Sequence, residues 1–316
     1  MVLLGERLVI LRKMKTHTKN ILRVTAFLLG FAFLLSESHA QLITSETFSG
    51  LTGTGLTGSD SSGWSDSGWN GGSDSRFSVI NPTTRLSYQI TGGALLNGGN
   101  GALQLTTSPE PDPAGLMAYR SFTNYNTTIY MSWLMRISSA GTGSDTLSVD
   151  LLNGTNVIHS ISYIANAGGL ANMGSGAIGP TGNFTGVAIN AGTTITHLIV
   201  VEFTPSGPNY NTVNVWLDPS YNSYSSTQLR SQESSSGVGA LGLGTLNGIG
   251  FGVYSTDLGG PTTTALFDSL KIGYTWGDVV PLAVPEPSSY ALFWLGSLVL
   301  VIAYWRKGIF SIFRNK

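Results

Sequence analysis

Between Gly58 and Ser75 the chain reads Gly-Ser-Asp-Ser-Ser-Gly-Trp-Ser-Asp-Ser-Gly-Trp-Asn-Gly-Gly-Ser-Asp-Ser, which sets Asp60, Asp66 and Asp74 around Trp64 and Trp69. Carboxylate oxygens are the ligands Ca2+ prefers, and an indole face offers a sugar ring broad apolar contact beside polar groups. The three aspartates are therefore candidate Ca2+ ligands, and Ca2+ is the one cofactor the chain suggests. Trp64 and Trp69, with Trp216 further along, are candidate glycan-stacking side chains. Their spacing is not that of the twelve-residue EF-hand loop. A polar loop after the first strand, or an edge segment whose tryptophans tuck onto the core, accounts for the same residues. Other chemistry has little to stand on. His159 and His197 each sit alone in an apolar run with no acid nearby in sequence, as satisfied core or edge histidines do. No serine occupies a Gly-x-Ser-x-Gly elbow. The acids are scattered singly, including Glu202, so no strand offers the paired carboxylates of glycoside hydrolysis. With no cysteine, disulfides, thiolate metal sites and cysteine nucleophiles are excluded. No catalytic residue is predicted.

The elements that must carry these residues are strands. Charged residues make up 10% of the chain, against roughly 25% in ordinary soluble proteins, while glycine alone contributes 41 of 316 residues. Short β runs separated by turn clusters fill 41–283, with no helical period. Strands are predicted at 102–107, 116–122, 128–137, 146–152, 157–165, 194–204, 212–217, 248–254 and 265–274, and Glu46-Thr-Phe-Ser opens the domain with Phe48 starting a core strand. In 194–204 both faces are apolar at the centre, as in an inner strand. In 212–217, Val213, Val215 and Leu217 form a core face, and Asn214 and Trp216 a face that is wet or occupied. Asn126, Asn153 and Asn183 begin glycosylation triplets of a kind that arises by chance in a chain rich in Asn and Thr.

Charge is segregated along the chain. Residues 1–40 sum to +4, 41–287 to −9 and 288–316 to +4. Basic ends flanking apolar runs and an acidic middle fit a translocated domain with cytoplasmic ends. Six basic residues across 41–287 cannot neutralise many phosphates, which argues against nucleic acid as a partner. Lys15, Lys19 and Arg23 precede the apolar run Val24–Leu35, and Ser38 and Ala40 follow, the layout of a secretory signal cleaved after Ala40. Met14 begins a more ordinary signal than Met1 and is the expected true start. At the other end Val284-Pro285-Glu286-Pro287-Ser288 leads into an uncharged stretch to Trp305, then Arg306-Lys307. The 288–305 run spans about 27 Å as a helix, enough to cross a bilayer once. The expected divisions are thus a signal peptide at 1–40, an extracellular sandwich at 41–283 and a tail at 284–316.

The Val-Pro-Glu-Pro-Ser sequence, single helix and basic end closely resemble the PEP-CTERM sorting signal of Gram-negative bacteria. That resemblance implies that the membrane-embedded protease exosortase recognises Pro285, Glu286 and Pro287, removes the helix and passes the protein to the cell surface or exopolysaccharide matrix. Exosortase, the secretion machinery, the membrane and exopolysaccharide are the partners it implies. The tail departs from the pattern in adding Gly-Ile-Phe-Ser-Ile-Phe before Arg314, and a plain anchor is the alternative. The closing strand, with Asp268, Leu270, Ile272, Gly273, Trp276, Asp278 and Val279, resembles the last strand of concanavalin-like, laminin-G-type jelly rolls. The fold class expected is thus an all-β jelly-roll antiparallel sandwich with an N-terminal signal helix and one C-terminal transmembrane helix; a β-helix or another sandwich is the alternative. Laminarinase-like enzymes of that fold carry Glu-x-Asp-x-x-Glu on one strand, which is missing here. The expected role is non-enzymatic, structural or adhesive, at the cell surface. A dedicated carbohydrate-binding module and a polysaccharide-active enzyme are the alternatives.

Overall fold

The computed structural model describes residues 42–49, 53–54, 56, 63–107, 112–123, 127–139, 145–166, 170–176, 187–190, 194–206, 209–220, 229–234, 246–255, 262–280 and 296–297. The chain divides into two units, Met1–Ala40 and Gln41–Lys316. The signal segment, Asp60, the sorting motif, Arg306, Lys307 and all of the 288–305 run except Gly296 and Ser297 lie outside the described residues. Among the described residues no helix is long and apolar enough to cross a membrane.

Two antiparallel sheets form a sandwich. The larger runs in the order β15 (Leu229–Ser234), β14 (Asn209–Leu217), β13 (His197–Ser206), β8 (Ile129–Ser139), β17 (Thr264–Gly273), β6 (Ala102–Thr106), β3 (Phe77–Ile80) and β2 (Gly53–Thr54), with β1 (Leu42–Glu46) also paired to β17. The smaller runs β12 (Val187–Asn190), β11 (Leu170–Gly176), β10 (Asn156–Asn166), β9 (Thr146–Asn153), β16 (Gly248–Ser255) and β7 (Asp112–Ser121). A short hairpin of β4 (Ser87–Gln89) and β5 (Leu95–Asn97) stands apart, and the one-turn α1 (Trp276–Val279) follows β17.

All nine strands expected from alternation are present, because a period of two with one apolar face is satisfied only where that face meets a second layer. The inner faces of both sheets supply one core, to which β8 gives Met131, Trp133 and Met135, β13 gives Ile199, Val201 and Phe203, and β16 gives Ile249, Phe251 and Val253. Trp133 Nε1 donates to the Tyr163 hydroxyl across the two layers at 3.3 Å, so two polar tips enter the core paired with each other. The doubly apolar pattern of 194–204 has the predicted cause. Leu198 and Val200 of β13 face a second cluster on the outer side of the larger sheet, with Leu86, Ile90, Trp216, Leu266 and Val279.

One expectation at the domain's opening is corrected. Phe48 is fully buried but lies beyond β1, in left-handed backbone at φ 54°. The Glu46 carboxylate accepts the Phe48 N–H at 3.2 Å and holds that turn, so the strand ends at Glu46 instead of starting there. At the far end Asp278 accepts the N–H groups of Tyr274 and Thr275 at 2.9 and 2.8 Å, fastening α1 to the end of β17.

Candidate functional site

The residues singled out first from the sequence close an edge of the sandwich. Trp64 and Asn70 make isolated bridges to Phe122 and Tyr119, laying 64–70 beside β7. Trp69 is buried and donates to Glu46 Oε2 at 3.3 Å. The same oxygen takes Arg120 Nη1 at 2.8 Å, an ion pair with both partners out of solvent. The Arg120 guanidinium also stacks 4.6 Å from the Trp64 ring centroid. Asp66 accepts from Asn70 Nδ2 at 3.2 Å and from the Ser121 N–H at 3.0 Å, and Asp74 pairs with Arg76 at 3.0 Å. The carboxylates thus serve neighbouring donors, and no group of three or more His, Asp or Glu among the described residues is placed to hold a metal. Trp216 is buried on the larger sheet, edge-on to Trp276 at 5.2 Å. Packing takes the indoles of Trp69 and Trp216 out of reach of a sugar ring in this conformation.

Three polar arrangements that sequence reading missed come from tertiary pairing. His197 Nδ1 lies 2.7 Å from Asp218 Oδ2, and Asp218 also caps the Leu198 N–H at 2.9 Å from left-handed backbone. Glu202 accepts from the Tyr130 hydroxyl and Asn214 Nδ2, each at 2.7 Å. His159, level with Leu151 on β10, is fully buried, which pushes its pKa down to about 4.

The third arrangement has the strongest chemistry and lies on the face of the smaller sheet turned away from the core. Register places Ser160, Asp150, Gly250 and Tyr119 in one row across β10, β9, β16 and β7, and Ser162, Ser148, Gly252 and Met117 in the next. These residues alternate with the core-facing Val149, Phe251 and Ala118. The face is therefore built from hydroxyls, bare backbone and one carboxylate. Asp150 is fully buried, and burial raises its pKa to about 6, while the hydroxyls of Ser160 and Ser148 pull weakly the other way. Ser160 Oγ donates to Asp150 Oδ1 at 2.6 Å; Oδ2 has no protein partner.

Gly252 explains how a carboxylate, a hydroxyl and an aromatic ring converge here. A Cβ at this position would lie 2.3 Å from Ser148 Oγ, 2.6 Å from Asp150 Oδ2 and 2.9 Å from Tyr254 Cε2. Only a residue without a side chain leaves room for all three, a common reason for glycine inside a strand. Tyr254 is half-buried, and burial together with the Asp150 charge lifts its pKa to about 12, so its hydroxyl keeps its proton. A carboxyl near 6 beside a protonated phenol can deliver or accept a proton near neutral pH. The readable signal was the outward Gly248, Gly250, Gly252, Tyr254 series along β16, which alternation alone registers as an empty face.

No family model and no curated protein matches the sequence. Among solved structures the chain is similar to an endo-β-1,4-glucuronan lyase from the fungus Trichoderma reesei, at 11% identity and TM-score 0.41 over 73% of this chain and 98% of that one. It is also similar to a PL-14 alginate lyase from Aplysia kurodai, at 10% identity and TM-score 0.38 over 66% and 89% of the two chains. A third is a GH43 glycoside hydrolase, at 14% identity and TM-score 0.42 over 66% of this chain and 38% of that one. Likeness at this level concerns the β architecture and assigns no residue. It does overturn the expectation of a non-enzymatic structural or adhesive domain, since the neighbours are polysaccharide lyases and a glycoside hydrolase. The physical reason lies in the sheet. A missing Glu-x-Asp-x-x-Glu strand excludes one arrangement, whereas a sheet face gathers catalytic groups from several strands without any local motif.

Proposed function

We propose that this chain is an exported enzyme that cleaves polysaccharide by general acid–base catalysis, with Asp150 as the proton-transfer group and Tyr254 beside it. The observation that carries the reading is a buried carboxyl held near 6, with one oxygen bonded to Ser160 and the other left without a protein partner. Holding such a group opposes stability, and perturbed carboxyls of this kind gather at functional sites. A glycosidic oxygen needs a proton as its bond to carbon breaks, and a carboxyl that titrates near 6 supplies it at mildly acidic to neutral pH. The concanavalin-like jelly roll is the finer fold we assign, supported by β1 lying beside β17 and by the closing Asp268–Val279 pattern. Delivery through the signal segment and exosortase recognition of Pro285-Glu286-Pro287 complete the reading, supported by the charge layout and the tail motif. The test is polymer cleavage by the full chain in detergent, comparing wild type with Asp150→Asn and Tyr254→Phe. Asp150→Asn is expected to lose about 100-fold or more of the rate, the usual worth of an acid–base group. An Asp150→Asn protein that folds and cleaves at the wild-type rate would sink the assignment.

A further inference from the structure

From the same face, and resting on the acid–base reading of Asp150, we infer that the site takes an uncharged polysaccharide and cleaves it by hydrolysis. The argument is an inventory of positive charge. Residues 41–287 hold six Lys and Arg: Arg76, Arg85, Arg120, Arg136, Arg230 and Lys271. Arg76 is spent on Asp74, Arg85 on the side chain of Asn100 and Arg136 on the carbonyl of Thr84. Arg120, though on β7, pairs with core-facing Ile249 and turns inward to Glu46. Arg230 and Lys271 belong to β15 and β17 of the other sheet. Neither histidine fills the gap, because His159 is level with core-facing Leu151 and His197 is held by Asp218 on β13.

The outer face of the smaller sheet therefore meets a ligand with Asp150, Ser148, Ser160, Ser162, Tyr119 and Tyr254. A uronate residue would bring its carboxylate against the Asp150 carboxylate with no cation to offset the repulsion, and like charges so placed reject a partner. Hydroxyl groups and a phenol instead match the donors and acceptors of a neutral sugar, and the half-buried tyrosine rings offer apolar contact. The choice of reaction follows. Elimination depends on a uronate carboxylate to acidify the ring hydrogen, which a neutral sugar lacks. In hydrolysis the Asp150 carboxyl proton passes to the departing oxygen as its bond to the anomeric carbon breaks. Water forms the new bond to that carbon and returns a proton to Asp150, leaving the group as it began.

The experiment incubates the full chain in detergent with neutral polymers (a β-glucan, a xylan and a mannan) and with two uronans, alginate and polyglucuronate. Release of reducing ends is followed together with the ultraviolet absorbance of unsaturated uronates. Reducing ends from at least one neutral polymer, no unsaturated product from either uronan and loss of the signal in Asp150→Asn are expected. Cleavage of a uronan within about tenfold of the best neutral polymer overturns the charge argument and leaves the acid–base reading standing. Silence on all five polymers removes both. Should Asp150→Asn not fold by its tryptophan fluorescence, Ser160→Ala, which keeps the carboxyl but removes its donor, is read instead; its pH–rate profile is expected to shift upward, and an unmoved profile counts against the inference.

Discussion

At the scale of single residues the protein holds two buried groups whose titrations oppose each other. Folded Asp150 keeps its proton up to about pH 6, whereas the unfolded carboxyl ionises near the model value of 3.8. The folded state therefore binds more protons between those values, and stability falls as pH rises through that window. His159 works in the opposite sense. Its folded pKa of about 4 lies below the model value of 6.5, so the unfolded state takes up the proton first and stability is lost as pH falls through the same range. Each effect is on the order of 3 kcal/mol, so they nearly cancel in the wild type. Asp150→Asn should thus raise stability by roughly 2–3 kcal/mol near neutrality and expose the histidine's slope, with stability climbing from about pH 4 to about pH 7. Urea unfolding across that range is the measurement; an unchanged slope would mean that Asp150 carries no proton in the fold.

At the scale of elements, β16 and the 64–70 edge segment carry the consequences. Gly252→Ala would drive a methyl into Ser148, Asp150 and Tyr254 at once, since two of those contacts fall below 2.7 Å. The expected cost is about 1–3 kcal/mol in thermal or urea unfolding, with the acid–base rate lost alongside because both groups must move. An alanine variant with wild-type stability and rate would show that the face is looser than drawn. The edge segment depends on Arg120, which joins Glu46 to Asp66 and stacks on Trp64. Arg120→Ala leaves the Glu46 carboxylate buried without its cation and should destabilise by about 3–5 kcal/mol, whereas Arg120→Met with Glu46→Gln should recover most of that. The same contacts explain why the Ser-Asp and Trp repeat looked like a ligand loop. Carboxylates and indoles serve a buried edge as well as a sugar, and the partner Arg120 lies more than 50 residues away in sequence from Trp64 and Asp66.

At the scale of the whole molecule the +4, −9, +4 layout and the tail motif bear on sorting. Replacing Pro285 and Pro287 with alanine should leave the tail attached, seen as a heavier mature chain by mass spectrometry and as loss of surface display. If mature mass and display are unchanged, the tail is only an anchor. The β class, the nine principal strands and the two-faced burial of β13 were legible in the residues, because alternation is a local property and each strand carries its own burial pattern. The chemistry was not. Asp150 reads as one polar residue in an apolar strand, Ser160 as another, and Tyr254 lies about a hundred residues further on. What the sequence determined by itself is the strand content and the charge segregation, since both depend on neighbours along the chain. Which carboxylate is buried beside a hydroxyl and a phenol, and which is neutralised by Arg120, only the tertiary structure decided, because strand pairing brings together residues that no spacing along the chain relates.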